Sequence, residues 1–120
     1  MTTFVTGTLN NQANQPNAGN GAINYFTQAS LAYTAFMGSM KIARNNTGAM
    51  TDTLPDGRTL PNGWQITIYN IDSADAITVT PTLPSTITVG STTGATMSIT
   101  NSKSCTITCD GTNFLATTPV

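Results

Sequence analysis

The sequence predicts an all-β fold: an antiparallel β-sandwich or small barrel over residues 62–118, preceded by an extended N-terminal arm and one short helix. Three observations predict it. From Trp64 onward, apolar and polar residues alternate with a period of two in short segments. Asn, Asp, Ser, Gly or Pro clusters separate those segments at intervals of about 8–12 residues. The polar side of each segment is mostly Thr, a β-branched residue suited to a half-solvated pleated surface. At 120 residues the chain is long enough for one domain.

Residues 1–24 read as an extended arm. Residues 3–9 alternate Phe4, Thr6 and Thr8 against Val5, Gly7 and Leu9, which suits a short strand able to pair with something distant. Residues 10–24, NNQANQPNAGNGAIN, carry almost no apolar surface to bury. Residues 25–61 read as an apolar connector of helix and loop. Within 25–43, Leu31, Thr34, Ala35 and Gly38 fall at helical spacing, and so do Phe26, Ala29, Tyr33, Phe36 and Met40, which predicts a helix of about three turns. Strands are the competing assignment, because Tyr25, Met37 and Ile42 place apolar groups on most faces and Gly38 and Ser39 weaken a helix. Such a segment needs cover, from the domain's own core or from a neighbouring subunit. Residues 52–63, DTLPDGRTLPNG, are turn chemistry: Pro55-Asp56-Gly57 and Pro61-Asn62-Gly63 each place Pro ahead of a pair that tolerates left-handed backbone.

Residues 62–120 form the predicted β-domain. Ile66 and Ile68, Ile77 and Val79, Ile87 and Val89, Met97 and Ile99, Cys105 to Cys109, and Phe114 and Ala116 mark six strands. ITIYN (66–70) with ITVT (77–80), and MSITN (97–101) with CTITC (105–109), read as two hairpins that echo each other. On an extended strand the Cα atoms of Cys105 and Cys109 lie about 13 Å apart, whereas a disulfide needs roughly 7 Å or less. They cannot bridge each other. Sharing parity with Ile107, they are expected as reduced thiols lining one buried face.

Composition narrows the function. Four Lys and Arg, five Asp, no Glu and no His make 8% of the chain charged, against about 25% in an ordinary soluble domain. Thr (25) and Asn (12) fill the gap. Lys41, Arg44, Arg58 and Lys103 are too few and too scattered to neutralise a run of phosphates, so no nucleic-acid partner is expected. Without His there is no Ser-His-Asp or Cys-His catalysis and no imidazole metal site. The chain reads as a non-enzyme with no cofactor and no metal. Asp52 and Asp56 lack the dense oxygen spacing of a calcium loop, and Asp72, Asp75 and Asp110 sit in predicted turns, where carboxylates bond their own backbone. No secretory leader and no membrane span is expected, and the sequon Asn45-Asn46-Thr47 reads as a chance match. Rows of Thr at 78/80/82, 86/88 and 106/108 suggest an ice-binding face, but their spacing is irregular, which favours a solvated sheet face instead. Trp64 and Tyr69 could stack on sugar, although a Trp opening a strand belongs more often to a core.

GWQITIYN (63–70), AITVT (76–80) and CDGTNFLA (109–116) together resemble small β-modules of bacteriophage virion proteins. There a strand ending in Asn leads to an ITV strand, and a D-G-x-N-aromatic hairpin closes the module. The resemblance covers residues 63–117 and contains no catalytic motif. It implies a structural virion protein: a capsid decoration (cement) protein bridging major capsid subunits, on the capsid surface after assembly in the host cytoplasm, as a homotrimer. The alternatives are a tail- or head-fibre module that binds host glycans, or an ice- or polysaccharide-binding β-protein. A lattice-binding arm would contact its neighbours through apolar groups, here Phe4, Val5, Leu9, Tyr25, Phe26, Tyr33 and Phe36.

Overall fold

The computed structural model describes residues 22–120. Eleven strands account for its regular structure: β1 Ile23–Phe26, β2 Ser30–Ala32, β3 Lys41–Arg44, β4 Met50–Leu54, β5 Gln65–Asn70, β6 Ile77–Pro81, β7 Ile87–Val89, β8 Thr92–Gly94, β9 Met97–Ile99, β10 Ser104–Cys109 and β11 Phe114–Ala116. They form two sheets, one of seven strands in the order β1-β3-β5-β10-β11-β7-β8 and one of four in the order β2-β4-β6-β9. All six strands expected from the period-two pattern are present, and the all-β class holds.

The sheets are mixed, which corrects the antiparallel expectation. β1, β3 and β5 run parallel, as do β2, β4 and β6, and β11 pairs in parallel with β7. Antiparallel pairing joins β5, β10 and β11, then β7 with β8 and β6 with β9. The cause is the path of the chain. Through β6, every connection carries it from one sheet to the other, so each strand pairs with the strand two places later, running the same way. A direct return within one sheet would have given hairpins.

Both expected hairpins are corrected for the same reason. β5 belongs to the larger sheet and β6 to the smaller; β9 belongs to the smaller and β10 to the larger. Asn70 holds the first crossing in place. Buried at the end of β5, its amide donates to the carbonyls of Asp75 and Ile99, both at 2.9 Å, and its Oδ1 accepts from the Asp72 N–H at 3.1 Å. One side chain thus ties the end of β5, the arch and β9 together.

The expected helix in 25–43 is also corrected: the segment supplies half of β1, all of β2 and most of β3, and its only helical piece is a single 3-10 turn at Ala35–Met37. Apolar residues fall on most helical faces because the strands feed two sheets. Leu31, Tyr33, Met37, Met40 and Ile42 all enter one apolar cluster. That cluster draws Ile66, Ile68, Ile107 and Phe114 from the larger sheet and Leu54, Ile77, Val79 and Ile99 from the smaller. Residues 25–61 therefore supply strands to both sheets.

Gly63 and Gly57 show two ways in which position requires a glycine. Gly63 has φ +96°, as its Pro-Asn-Gly turn anticipates. Gly57 is needed for close approach: a Cβ there would overlap the Thr112 carbonyl. Its N–H donates to Ser85 Oγ at 2.8 Å, and that hydroxyl donates onward to the Thr112 carbonyl, also at 2.8 Å.

Candidate functional site

The expected contact residues fall into three groups. Phe4, Val5 and Leu9 lie outside the described residues. Tyr25 on β1 and Phe36 in the 3-10 turn are exposed, at 68% and 89%. Phe26 is half-buried against the core. Tyr33 is corrected: it is 3% exposed and unavailable for contact, because its hydroxyl is committed to an internal carboxylate.

That carboxylate is Asp52, the centre of a buried network that sequence reading missed. Arg44, at the end of β3, donates through Nε to Asp52 Oδ2 at 2.8 Å and through Nη2 to Oδ1 at 2.6 Å. Tyr33 donates to Oδ2 at 2.7 Å, and Arg44 Nη1 donates to the Phe26 carbonyl at 2.8 Å. Arg44 and Asp52 are fully enclosed. Burial, reinforced by the Asp52 charge, raises the Tyr33 phenol well above its ordinary range. Burial works against the Arg44 cation, but the hydrogen bond and charge of Asp52 outweigh it and raise the guanidinium further. The network fastens β1 and β3 of one sheet to β4 and the end of β2 in the other. Enclosed on all sides, it serves the fold and no solvent-borne substrate. A parity signal for it existed. Arg44 shares the inward face of Ile42, and Asp52 sits between Met50 and Leu54, so opposite charges point into the same core.

The remaining carboxylates with resolved partners are engaged at turns. Asp72 Oδ1 accepts from the N–H groups of Ala74 and Asp75, and Asp110 Oδ1 from those of Thr112 and Asn113; these bonds hold both acids below the usual carboxylate range. Asp56 is held down to about 2, first by the Arg58 side chain and then by the Arg58 N–H. Cys105 and Cys109 are free and buried, inward with Ile107 as their parity requires. Burial pushes the Cys105 thiol up to about 12 and raises Cys109 as well, so neither is a ready nucleophile. Trp64 belongs to the core: its indole N–H donates to the Ala35 carbonyl at 3.0 Å, and its ring meets Phe114 edge-on.

Among the described residues, the outward face of the larger sheet is almost uncharged and richest in Thr. In register across five strands stand Gln65, Thr108, Leu115, Thr88 and Thr93. A second row is Ile23, Lys41, Thr67 and Thr106, and a third is Tyr25, Ala43, Tyr69 and Ser104. Hydroxyls pair along it: Thr88 with Thr93 at 2.7 Å and Thr67 with Thr106 at 3.2 Å. Lys41 is the one charge among the outward strand positions of this sheet; Arg44, its strand-mate, points inward. Leu115, half exposed, interrupts the threonines. A shallow depression of about 350 Å³ beyond the ends of β1 and β3 is lined by Thr27, Asn45, Asn46 and Thr47, all neutral. No protein-family model matches the chain, and no curated protein matches its sequence.

Proposed function

We propose that this chain is a structural virion protein, a capsid decoration protein that packs the outward face of its seven-stranded sheet onto major capsid subunits. The observation that carries this reading is the single charge, Lys41, on that face. Burying an ion without a partner is far costlier than burying a hydroxyl that can re-form its hydrogen bond. A Thr-, Ser- and Tyr-bearing surface stays wet when free, yet has little to desolvate when it docks. Seven strands about 4.8 Å apart, each roughly 10–20 Å long, give a face of about 300–600 Å², which is smaller than the approximately 800 Å² per partner of a standard interface. Further contact then comes from Tyr25 and Phe36 and from repetition, with the chain acting as a homotrimer on a repeating lattice. We read the two sheets as the layers of a sandwich, supported by the one apolar cluster to which both contribute.

The test is stoichiometric binding to expanded empty capsids and the resulting rise in capsid melting temperature. Leu115→Asp places a charge in the middle of the face at an exposed position. It should abolish binding while leaving the protein's own unfolding midpoint unchanged. Undiminished binding would overturn the reading, and light scattering on the free protein tests the trimer. One observation favours a second reading, a fibre module that binds host glycans: Tyr25 and Tyr69 stand in register on either side of Ala43. If host-cell binding falls with Tyr25→Ala while capsid stability is indifferent to the protein, the fibre reading replaces the first.

A further inference from the structure

Asp56-Gly57, Asn62-Gly63 and Asp110-Gly111 all stand in the loops where β5 begins and β10 ends. They lie close together: Gly57 packs on the Thr112 carbonyl, and a Cβ on Gly111 would lie 3.8 Å from the Asn62 Cβ. In an Asx–Gly pair the glycine nitrogen can attack the side-chain carbon before it, because no Cβ on the glycine hinders the approach. Both aspartates and their glycines are engaged. Asp56 binds Arg58, and the Gly57 N–H donates to Ser85 Oγ at 2.8 Å. Asp110 Oδ1 accepts from the Thr112 and Asn113 N–H groups, and the Gly111 N–H donates to the Cys109 sulfur at 3.3 Å. The Asn62 side chain is exposed and has no hydrogen-bond partner among the described residues.

Only the backbone restrains Asn62. The Trp64 N–H donates to the Pro61 carbonyl at 3.1 Å, across a Gly63 at φ +96°, which makes a type II turn with Asn62 at its second position. At that position ψ is about +120°, which turns the Gly63 nitrogen away from the Asn62 side chain. The same nitrogen is also tied down: its N–H donates to the Cys109 carbonyl at 2.8 Å, while the Cys109 N–H donates to the Trp64 carbonyl at 2.7 Å. Gly63 and Trp64 thus oppose the single residue Cys109, a glycine-led bulge that prolongs the β5–β10 ladder. Trp64 anchors it through the indole bond to the Ala35 carbonyl and the ring contact with Phe114.

We propose that Asn62 is a latent deamidation site, held unreactive by this turn and bulge and converted, one way, when the corner opens. In the conversion the Gly63 nitrogen bonds to Asn62 Cγ, the Cγ–Nδ2 bond breaks, and ammonia leaves with the Gly63 proton. Water then opens the cyclic imide at either carbonyl, giving aspartate or isoaspartate. The product places a new carboxylate beside the Asp110 turn. Its isoaspartyl form also lengthens the main chain by a methylene inside the turn, so the bonds from Trp64 to Pro61 and from Gly63 to Cys109 no longer span the same path. The corner then keeps a permanent mark of having opened.

This inference goes beyond the capsid reading and stands or falls separately from it, because its readout needs no capsid. The experiment follows residue 62 by peptide mapping of the full chain at mildly alkaline pH, in buffer and in denaturing urea. Asn20→Gln removes the same dipeptide at 20–21 from the background. Conversion should be at least about tenfold faster in urea than in the folded protein. Trp64→Phe, which deletes the indole bond to Ala35, should speed conversion in the folded protein about fivefold. Ile99→Val, a core change of comparable cost at the opposite end of the strands, should not. The purified isoaspartyl form should fail to regain slow hydrogen exchange at the Gly63 and Cys109 amides after refolding. Three results would overturn the proposal: a rate in urea no faster than in buffer, equal acceleration by the two variants, or an isoaspartyl chain that regains slow exchange at both amides.

Discussion

Arg44 and Arg58 each hold an aspartate at close range, Asp52 at 2.6 Å and Asp56 at 2.7 Å, in surroundings that differ in almost every other respect. The Arg44 pair is wholly enclosed between the sheets, with Tyr33 and the Phe26 carbonyl completing its hydrogen bonds. The Arg58 pair sits at a surface corner, where the Arg58 side chain is 59% exposed. Geometry alone does not tell the two apart. Water does: it screens the surface pair and leaves its loss easily compensated. Inside, no solvent remains to replace a missing partner.

Removing one partner from each pair breaks the comparison most directly. Asp52→Ala leaves the Arg44 cation buried and uncompensated, and should cost about 3–5 kcal/mol in urea unfolding. Replacing both partners with apolar residues, as Arg44→Met with Asp52→Leu, should recover most of that loss. If the double substitution is no better than the single one, the pair is not the source of the penalty.

Tyr33→Phe removes one hydrogen bond to a buried carboxylate and should cost about 1.5–3 kcal/mol. It also carries a pH signature. The folded phenol is raised above its ordinary value of 10.0, so its contribution is complete below pH 10 and is lost as pH climbs from there toward the folded value. Alkaline unfolding curves of the wild type and Tyr33→Phe should therefore converge above pH 10.

Gly57→Ala tests the corner that carries the exposed pair. The added methyl group meets the Thr112 carbonyl, and overpacking of this kind costs about 1–3 kcal/mol. A neutral result would mean that the chain around Ser85 yields freely. Asp56→Asn should have the smallest effect, a barely measurable shift in unfolding midpoint that shrinks further in high salt. Asp56 is depressed to about 2, so its contribution is present above its unfolded value of 3.8 and disappears as pH falls through about 2. Midpoints of the wild type and Asp56→Asn should converge as the pH falls below about 2.

The same contrast explains what could be read from the sequence. Strands β5, β6, β7, β9, β10 and β11 were legible because in and around each an inward aliphatic, Cys, Met or aromatic residue recurs at every second position, with mostly Thr between. Their partners were not. Period-two alternation fixes which side of a strand is buried, but says nothing about whether the next strand returns beside it or crosses to the opposite sheet. Asn70 decides that through side-chain bonds to Asp75 and Ile99, and nothing local marks the distant Ile99 carbonyl. β1 to β3 lie in a stretch that carries apolar groups on most helical faces, so its period does not separate strand from helix. Of the residues expected at a contact surface, Tyr25 and Phe36 are exposed, whereas Tyr33 could be placed inside only by knowing where Asp52 goes.

The chain's alternation between sheets also sets the order in which the protein can assemble itself. Through β6 no strand pairs in a ladder with the one made just before it; the nearest ladder partners, Ile23 and Lys41, are already 18 residues apart, and Met50 and Ile77 are 27 apart. Each ladder must close a long loop before its first hydrogen bond forms, and that entropy is lost before any contact returns it. A nascent chain ending at β4 would own two parallel pairs and an ion pair with nothing to shield it. Only when β5 and β6 arrive does either sheet reach three strands. The protein should therefore fold slowly for its size and in one cooperative step, its early strands waiting on residues translated long after them.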